Sequence, residues 1–274
     1  MPPAPPKPAA LVDLAAAVAR TAGDVLLDGR RQAATGGIDV DTKSSATDMV
    51  TEVDRAAEEL IVGALLAARP DDSILGEEGA RTDGGSGVPW IIDPLDGTTN
   101  FLYGIPAYAV SIAAEVGGQI VAAAVYDPTH DELFTATRGG GAHLNRVRLQ
   151  VAGPPTLATA LVGTGFGYAP ERRAEQALVL TGVLSSVRDI RRAGSAALDL
   201  CSVACGRLDA FYEYGLAPWD MAAGSLIAAE AGADVGTLFG RPCTADTVMA
   251  APPQLAGPLR DLLISAGAGA TTRA

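Results

Sequence analysis

The sequence predicts an α/β protein made of two halves that meet near residue 150. Three patterns support this fold class: two segments with apolar residues at helical spacing come first, a run of strands follows, and strands and helices then alternate. The chain has 274 residues, of which 48% are hydrophobic, so it can bury a large core and global disorder is excluded.

The first half, residues 9–150, is predicted to contain two helices and then a series of strands. Apolar residues every three or four positions indicate the helices, and the second ends before Pro70 because proline cannot continue a helix. Short apolar or alternating runs indicate the strands, with a turn at Gly117 and Gly118. The predicted elements are helices over 11–31 and 51–69, strands over 73–76 and 90–92, and an antiparallel meander over 108–138.

The second half, residues 151–268, is predicted to alternate strands with helices, and Gly232 closes its last long helix. The Pro-rich start of the chain, residues 1–8, is predicted to be a disordered tail. The predicted elements of the second half are strands over 160–164, 187–191 and 210–213 and helices over 174–186, 195–205 and 220–231.

The composition argues against several classes of protein. The chain has 20 Lys and Arg against 32 Asp and Glu, a net charge of −12, so its own field is not expected to attract nucleic acid or an anionic membrane. Because neither a signal peptide nor a long apolar segment is seen, a cytoplasmic protein without a membrane partner is expected. Its three cysteines, Cys201, Cys205 and Cys243, are too few for a disulfide framework and are expected to be reduced.

The most informative stretch is DPLDGT, residues 93–98, which follows a short apolar strand. Its carboxylates, Asp93 and Asp96, flank a proline at the end of that strand, so both can point into one cleft. Gly97 permits a tight turn, and the amides of Gly97 and Thr98 at the start of a short helix can bind an anion. Carboxylates for a hard cation beside amides for a phosphate are the parts of a metal-assisted phosphoryl-transfer site, although Asp-Pro and Asp-Gly pairs also form ordinary turns.

Three further acidic residues favour the site over an ordinary turn. Glu77 lies in GEEG after another strand, Asp54 lies near the start of the second helix, and Asp220 lies at the start of an apolar helix in PWDMAAG. Asp220 alone would be explained as a helix N-cap, so its role as a metal ligand depends on the whole set.

Together these motifs resemble the inositol monophosphatase family, which belongs to a superfamily of lithium-sensitive, Mg²⁺-dependent phosphatases. GEEG, DPLDGTTNF, RRAGSAALDL, FYEYG and PWDMAAG occur in the family's order and at its spacing, between about residues 43 and 232. The resemblance implies an αβαβα sandwich of the inositol monophosphatase and fructose-1,6-bisphosphatase type, a homodimer, lithium inhibition, and two or three Mg²⁺ ions per active site.

The resemblance also implies roles for individual residues at the metal end of the site. Asp54 and Thr98 would orient and activate the attacking water, and Glu77 would hold the metal ion to which this water is bound. Lys43 matches a family lysine near the metals, but a single lysine in a KSS loop is usually only solvated. The implied metal ligands are Glu77, Asp93, the carbonyl of Leu95, Asp96 and Asp220.

For the substrate, the resemblance implies contacts with both the phosphate and the inositol ring. A carboxylate such as Glu213 can accept strong hydrogen bonds from two neighbouring hydroxyls. Ser195 is expected to be a helix N-cap as well, and Glu213 could instead be a solvated surface acid. The implied substrate contacts are Asp96, Gly97, Thr98, Gly194, Ser195, Ala196, Glu213 and Asp220.

Two other patterns have less specific interpretations. The stretch 163–168 is rich in glycine but lacks the complete dinucleotide-binding pattern, so a nucleotide site is not favoured. The basic residues Arg188, Arg191 and Arg192 could meet a phosphate or a partner subunit, but a solvated strand edge is favoured.

The sequence therefore predicts a Mg²⁺-dependent phosphatase that acts on inositol monophosphates. Histidinol phosphate, a sugar phosphate or a 3′-phosphorylated nucleotide are alternative substrates within the superfamily, although Glu213 favours inositol over the nucleotide. A regulatory binding module that retains the fold is the alternative from another class, and the intact set of acidic ligands argues against it.

Overall fold

The computed structural model describes residues 6–36, 40–42, 49–151, 156–238 and 247–268. Within these ranges the helices are α1 Pro8–Gly36, α2 Glu52–Ala68, α3 Thr98–Tyr103, α4 Pro170–Leu184, α5 Ala196–Ala204, α6 Pro218–Glu230 and α7 Pro253–Ser265. The strands of the first half are β1 Val40–Thr42, β2 Met49–Thr51, β3 Ser73–Gly76, β4 Arg81–Thr82, β5 Pro89–Asp96, β6 Ala109–Val116, β7 Gln119–Asp127, β8 Glu132–Thr137, β9 Gly141–Leu144 and β10 Val147–Arg148. Those of the second half are β11 Leu161–Thr164, β12 Asp189–Arg191, β13 Ala210–Glu213, β14 Asp234–Gly236 and β15 Val248–Ala251.

The strands form two sheets and one short hairpin, β1–β2. The large sheet has the order β10-β9-β8-β7-β6-β5-β3-β4, and its neighbouring strands are antiparallel except for the parallel pair β3 and β5. The small sheet has the order β12-β11-β13-β15-β14. In it β11 runs parallel to both β12 and β13, whereas β15 is antiparallel to both of its neighbours.

Helices cover both sheets and fill the space between them. α1 and α2 pack on one face of the large sheet, where Leu26 and Trp90 are completely buried. α5 and α6 lie between the sheets, with Cys201 packed toward the large sheet and Leu200 toward the small one. α4 and α7 cover the outer face of the small sheet around Leu259. This succession of helix, sheet, helix, sheet and helix confirms the predicted αβαβα sandwich.

The C-terminal part of the sandwich is where the sequence analysis falls short. The sequence patterns indicate no helix or strand after residue 231, although β14, β15 and α7 lie there. α7 contains Pro253 at its first position and Pro258 inside, and prolines hide a helical pattern because they are unfavourable within helices. Proline is favourable at the first turn of a helix, and α4 accordingly begins at Pro170 rather than near 174.

None of the helices in the described ranges is both long enough and apolar enough to cross a bilayer. Cys201 and Cys205 are free thiols, as expected, and Cys243 lies outside the described residues.

Candidate active site

A cavity of about 420 Å³ opens where the end of β5 meets the first residues of α3, α5 and α6. The structure brings most of the predicted site residues together in its walls. These are Glu77, Asp93, Leu95, Asp96, Gly97, Thr98, Gly194, Ala196, Glu213 and Asp220. Lys43 lies outside the described residues.

The end of β5 is irregular, and this irregularity directs Asp93 and Asp96 into one cavity. The register with β6 shifts between these two residues, as in a β-bulge. The Leu95 N–H donates to Asp93 Oδ1 at 3.0 Å, which closes a tight turn around Pro94. Gly97 follows with a φ of 99°, a conformation that favours glycine, and begins α3.

Asp96 is anchored to the start of α5. It accepts hydrogen bonds from Ser195 Oγ and from the Ala197 N–H, both at 2.7 Å. Burial raises the pKa of Asp96 to about 6, and these two hydrogen bonds oppose that rise. Ser195 Oγ also accepts the Leu198 N–H at 3.3 Å, so Ser195 is an N-cap as well. Ser195 therefore contacts Asp96 from the α5 side.

Asp54 is linked to the cavity by a hydrogen bond with Thr98, which lines it. The Thr98 hydroxyl lies 3.2 Å from two acceptors, Asp54 Oδ1 and the Leu95 carbonyl oxygen. Asp54 is completely buried, and its other carboxylate oxygen accepts the Thr51 N–H at 2.9 Å and the Thr51 hydroxyl. This capping box at the start of α2 fixes the orientation of the carboxylate.

The acidic side chains at the β5 end of the cavity disfavour one another's charge. Burial is the largest cause of the raised pKa of Asp93, and three neighbouring acids raise it further: Glu77, Asp96 and Asp220. Burial likewise raises the pKa of Asp220, which accepts the Ala217 N–H at 2.7 Å. Asp220 lies in the first turn of α6 and Ala217 is the N-cap, so the interpretation of Asp220 as the N-cap is wrong. Buried like charges of this kind are relieved by a proton or by a cation.

The donor set fits Mg²⁺, because carboxylate and carbonyl oxygens are the ligands that this hard cation prefers. Among the described residues, no three His, Cys, Asp or Glu side chains are already arranged to hold an ion. Instead Asp93 and Glu77 share a hydrogen bond, so cation binding would replace this contact between carboxyl groups.

Comparisons with known proteins identify the family. The model of the inositol monophosphatase family matches residues 8–266. The chain belongs to this family. It is 54% identical over 205 residues to inositol-1-monophosphatase SuhB of Mycobacterium tuberculosis, which covers 72% of this chain and 71% of that protein. It is 47% identical over 240 residues to Nus factor SuhB of Pseudomonas aeruginosa, covering 84% of this chain and 86% of that protein.

Solved structures of family members share this fold. SuhB of Bartonella henselae superposes with a TM-score of 0.86 at 40% identity, covering 93% of this chain and 98% of that one. An IMPase of Thermotoga maritima superposes with a TM-score of 0.85 at 30% identity, covering 94% of this chain and 98% of that one. The resemblance drawn from the motifs of the sequence is confirmed.

Beyond the acidic end, the inositol monophosphatase cavity of this chain contains Glu213 on β13. Glu213 is partly buried, and burial is the largest cause of the rise of its pKa to about 8. Its alternative interpretation as a solvated surface acid is therefore wrong.

The basic cluster is divided between the strand edge and the cavity. Arg188 donates to the Thr159 carbonyl at 2.8 Å and Arg191 pairs with Asp189 at 2.6 Å, both at exposed positions, as expected. Arg192, directly after β12, is exposed as well, and it also lines the cavity.

Glu58 is a residue of the site region that the sequence analysis does not identify. Its carboxylate accepts the N–H of Glu78 at 2.9 Å and that of Ala80 at 3.0 Å, and thereby holds the loop that carries Glu77. A Cβ atom on Gly76 would lie 2.2 Å from this carboxylate, which explains the glycine. The sequence does contain a signal for this role. Glu58 lies on the buried face of α2, and a buried acid needs a hydrogen-bonding or charged partner.

Replacing Glu58 with alanine is expected to lower the free energy of unfolding by about 2–4 kcal/mol, because two partly buried N–H groups lose their acceptor. We expect kcat to fall by roughly 10-fold or more, since the loop that carries Glu77 loosens. Urea unfolding and phosphate release measure the two effects. Glu59→Ala is the matched control, because Glu59 is the exposed neighbour on the same helix. Full activity of Glu58→Ala would show that the loop does not depend on Glu58.

Proposed function

We propose that this protein hydrolyses inositol monophosphates to myo-inositol and phosphate with Mg²⁺ as its cofactor. The observation that carries the proposal is a single cavity with acidic side chains at one end, the Gly97–Thr98 turn beside them, and Glu213 in its wall. The acidic end suits a cation-bound phosphate, and Glu213 suits the hydroxyls of a polyol. The names of the relatives in the family support the same activity.

In this proposal, two or three Mg²⁺ ions are held by oxygen ligands, namely Glu77, Asp93, the carbonyl of Leu95, Asp96 and Asp220. The chemistry that Mg²⁺ supplies when bound is Lewis-acid activation of water and stabilisation of negative charge on the phosphate and the leaving oxygen. The carboxylates ionise more readily beside a cation, because its charge opposes the burial and the repulsion that raise their pKa values.

Thr98 and Asp54 would position the attacking water and receive its proton. The Thr98 hydroxyl donates to Asp54 Oδ1, which leaves lone pairs of Thr98 Oγ1 to accept a hydrogen bond from water. As that water attacks phosphorus, its proton would pass through Thr98 to Asp54, whose carboxylate is held in place by the start of α2.

The remaining predicted contacts would hold the two ends of the substrate. The Gly97 and Thr98 amides would bind phosphate oxygens, and Asp96 and Asp220 would lie beside the scissile bond. Gly194, Ser195, Ala196 and Glu213 would contact the ring. Holding both ends aligns the phosphorus with the attacking water, which is a large part of catalysis of phosphoryl transfer.

The decisive experiment is phosphate release from a panel of phosphomonoesters with and without Mg²⁺. We expect inositol 1-phosphate to be the preferred substrate, and removal of Mg²⁺ with EDTA to lower its turnover by at least about 10³-fold, reversibly. Equal or faster turnover of histidinol phosphate, a sugar phosphate or a 3′-phosphonucleotide would overturn the assignment to inositol.

A regulatory binding function is a second candidate, because relatives in Pseudomonas aeruginosa and Vibrio cholerae are named Nus factor SuhB. Asp93→Asn, which lacks one of the proposed metal ligands, tests whether binding depends on catalysis.

The homodimer and the cytoplasmic location stay proposals that rest on the family resemblance and on the expectations from composition. Light scattering of the purified protein measures the first, and fractionation of cells measures the second.

A further inference from the structure

A second buried carboxyl group, Asp199 on α5, lines the same cavity as Glu213. Asp199 is only 3% exposed. Among the residues that the structure describes, none donates a hydrogen bond to the side chain of Asp199 or of Glu213. Because both residues line the cavity, each can be satisfied by a donor that enters it.

Two glycines at the end of β11, Gly163 within the strand and Gly165 just after it, make room for this pair. A Cβ atom on Gly165 would lie 2.0–2.1 Å from both carboxylate oxygens of Glu213. A Cβ atom on Gly163 would lie 3.6 Å from Asp199 Oδ1. The two glycines are two residues apart, and Asp199 is among the acids that raise the pKa of Glu213, so the two acids lie near each other beside the end of β11. These glycines therefore admit two carboxyl groups rather than a nucleotide phosphate.

α5 connects Asp199 to the phosphate end of the site. Ser195, just before the first turn of α5, donates to Asp96 at 2.7 Å. Asp199 follows four residues later, and residues at this spacing lie on the same side of a helix. One face of α5 thus anchors a proposed metal ligand and carries Asp199 into the cavity beyond it.

The surroundings of the pair are mostly acidic, with one arginine nearby. Burial raises the pKa of both Asp199 and Glu213 to about 8, and each is raised further by neighbouring acids. Arg192 opposes both rises and also lines the cavity. Hydroxyl groups can exchange hydrogen bonds with carboxyl groups in either protonation state, so the pair suits a polyol.

We propose that Asp199 is a specificity-determining residue that accepts a hydrogen bond from a ring hydroxyl of the substrate, next to the hydroxyls bound by Glu213. The inference deepens the proposed function and rests on it, because it requires a polyol phosphate as substrate.

The test compares Asp199→Ala and Asp199→Asn with the unaltered protein on inositol 1-phosphate and on p-nitrophenyl phosphate. Asp199→Ala is expected to raise KM for inositol 1-phosphate about 10- to 100-fold with kcat changed less than about threefold, since the ring hydroxyl loses its hydrogen-bond partner in a buried site. Asp199→Asn, which keeps one acceptor oxygen, should lie between the two. Turnover of p-nitrophenyl phosphate, which has no ring hydroxyls, should stay within about twofold.

Inositol 1-phosphate analogues that each lack one hydroxyl sharpen the test. We expect one analogue to bind the unaltered protein less tightly than inositol 1-phosphate but to lose no further affinity in Asp199→Ala. Asp261→Asn, at an exposed position of α7, is the control for loss of one acid. An unchanged KM in Asp199→Ala, or an equal loss on p-nitrophenyl phosphate, would overturn the role of Asp199. A failure of the proposed function gives a different result. The unaltered protein would then release no phosphate from inositol 1-phosphate with Mg²⁺ present, and both proposals would be overturned.

Discussion

Asp93→Asn is expected to lower kcat for phosphate release by at least about 10³-fold, equivalent to about 4 kcal/mol of transition-state stabilisation. Asparagine has nearly the shape of aspartate and can still accept the Leu95 N–H at the turn. It lacks the negative charge that the proposed cation site requires. Its neutral amide also removes repulsion with Glu77 and Asp220, so the midpoint of thermal unfolding without Mg²⁺ should not fall. Phosphate release and a thermal melt therefore separate loss of chemistry from loss of fold.

Asp261→Asn is again the control, because it removes the same charge from an exposed position on α7. Retention of more than about a tenth of the activity in Asp93→Asn would contradict the assignment of Asp93 as a metal ligand. The same variant tests the second candidate function. A binding function that survives in Asp93→Asn would not depend on catalysis.

Gly97→Ala is expected to reduce both stability and activity. The φ of 99° at Gly97 is unfavourable for alanine, and the new Cβ atom would lie 2.9 Å from the Ala107 carbonyl oxygen and 3.2 Å from Tyr108 Cβ. We expect the free energy of unfolding to fall by about 2–5 kcal/mol from backbone strain and crowding together. We also expect kcat/KM to fall by at least about 10-fold, because the turn next to Asp96 must shift. Chemical unfolding and phosphate release measure the two effects.

Gly267→Ala separates the two causes of the stability loss. Gly267 has a φ of 95°, close to that of Gly97, but a Cβ atom added there would have no atom within 4 Å beyond its own chain neighbours. This control should lose only about 1–2 kcal/mol and keep its activity. If Gly97→Ala were no less stable than Gly267→Ala, crowding against Ala107 would not be important.

The acidic end of the site was predictable because its residues belong to short motifs. Asp93, Asp96 and Gly97 lie within five residues of one another at a strand end, and the tight turn that joins them follows from local backbone preferences. Asp54 and Asp220 each lie in the first turn of a helix, where acids are favoured. Local patterns of this kind can be read without knowledge of the fold.

The polyol end and the supporting contacts were less predictable because they join distant parts of the chain. Ser195 contacts Asp96 across 99 residues, and Glu58 holds Ala80 across 22 residues. The approach of Arg192 to the cavity and the proximity of Asp199 to Glu213 depend on how α5 and the small sheet pack. No spacing in the sequence indicates which of several arginines or acids will face the cavity.

The sequence by itself determined the family, the mixed α/β architecture and the acidic residues offered to a cation, because periodicity and short motifs depend on local backbone geometry. Only the tertiary structure decided which further side chains share the cavity. Burial, hydrogen bonding to a distant loop and the charge felt by Asp199 or Glu213 arise only when helices and sheets pack together.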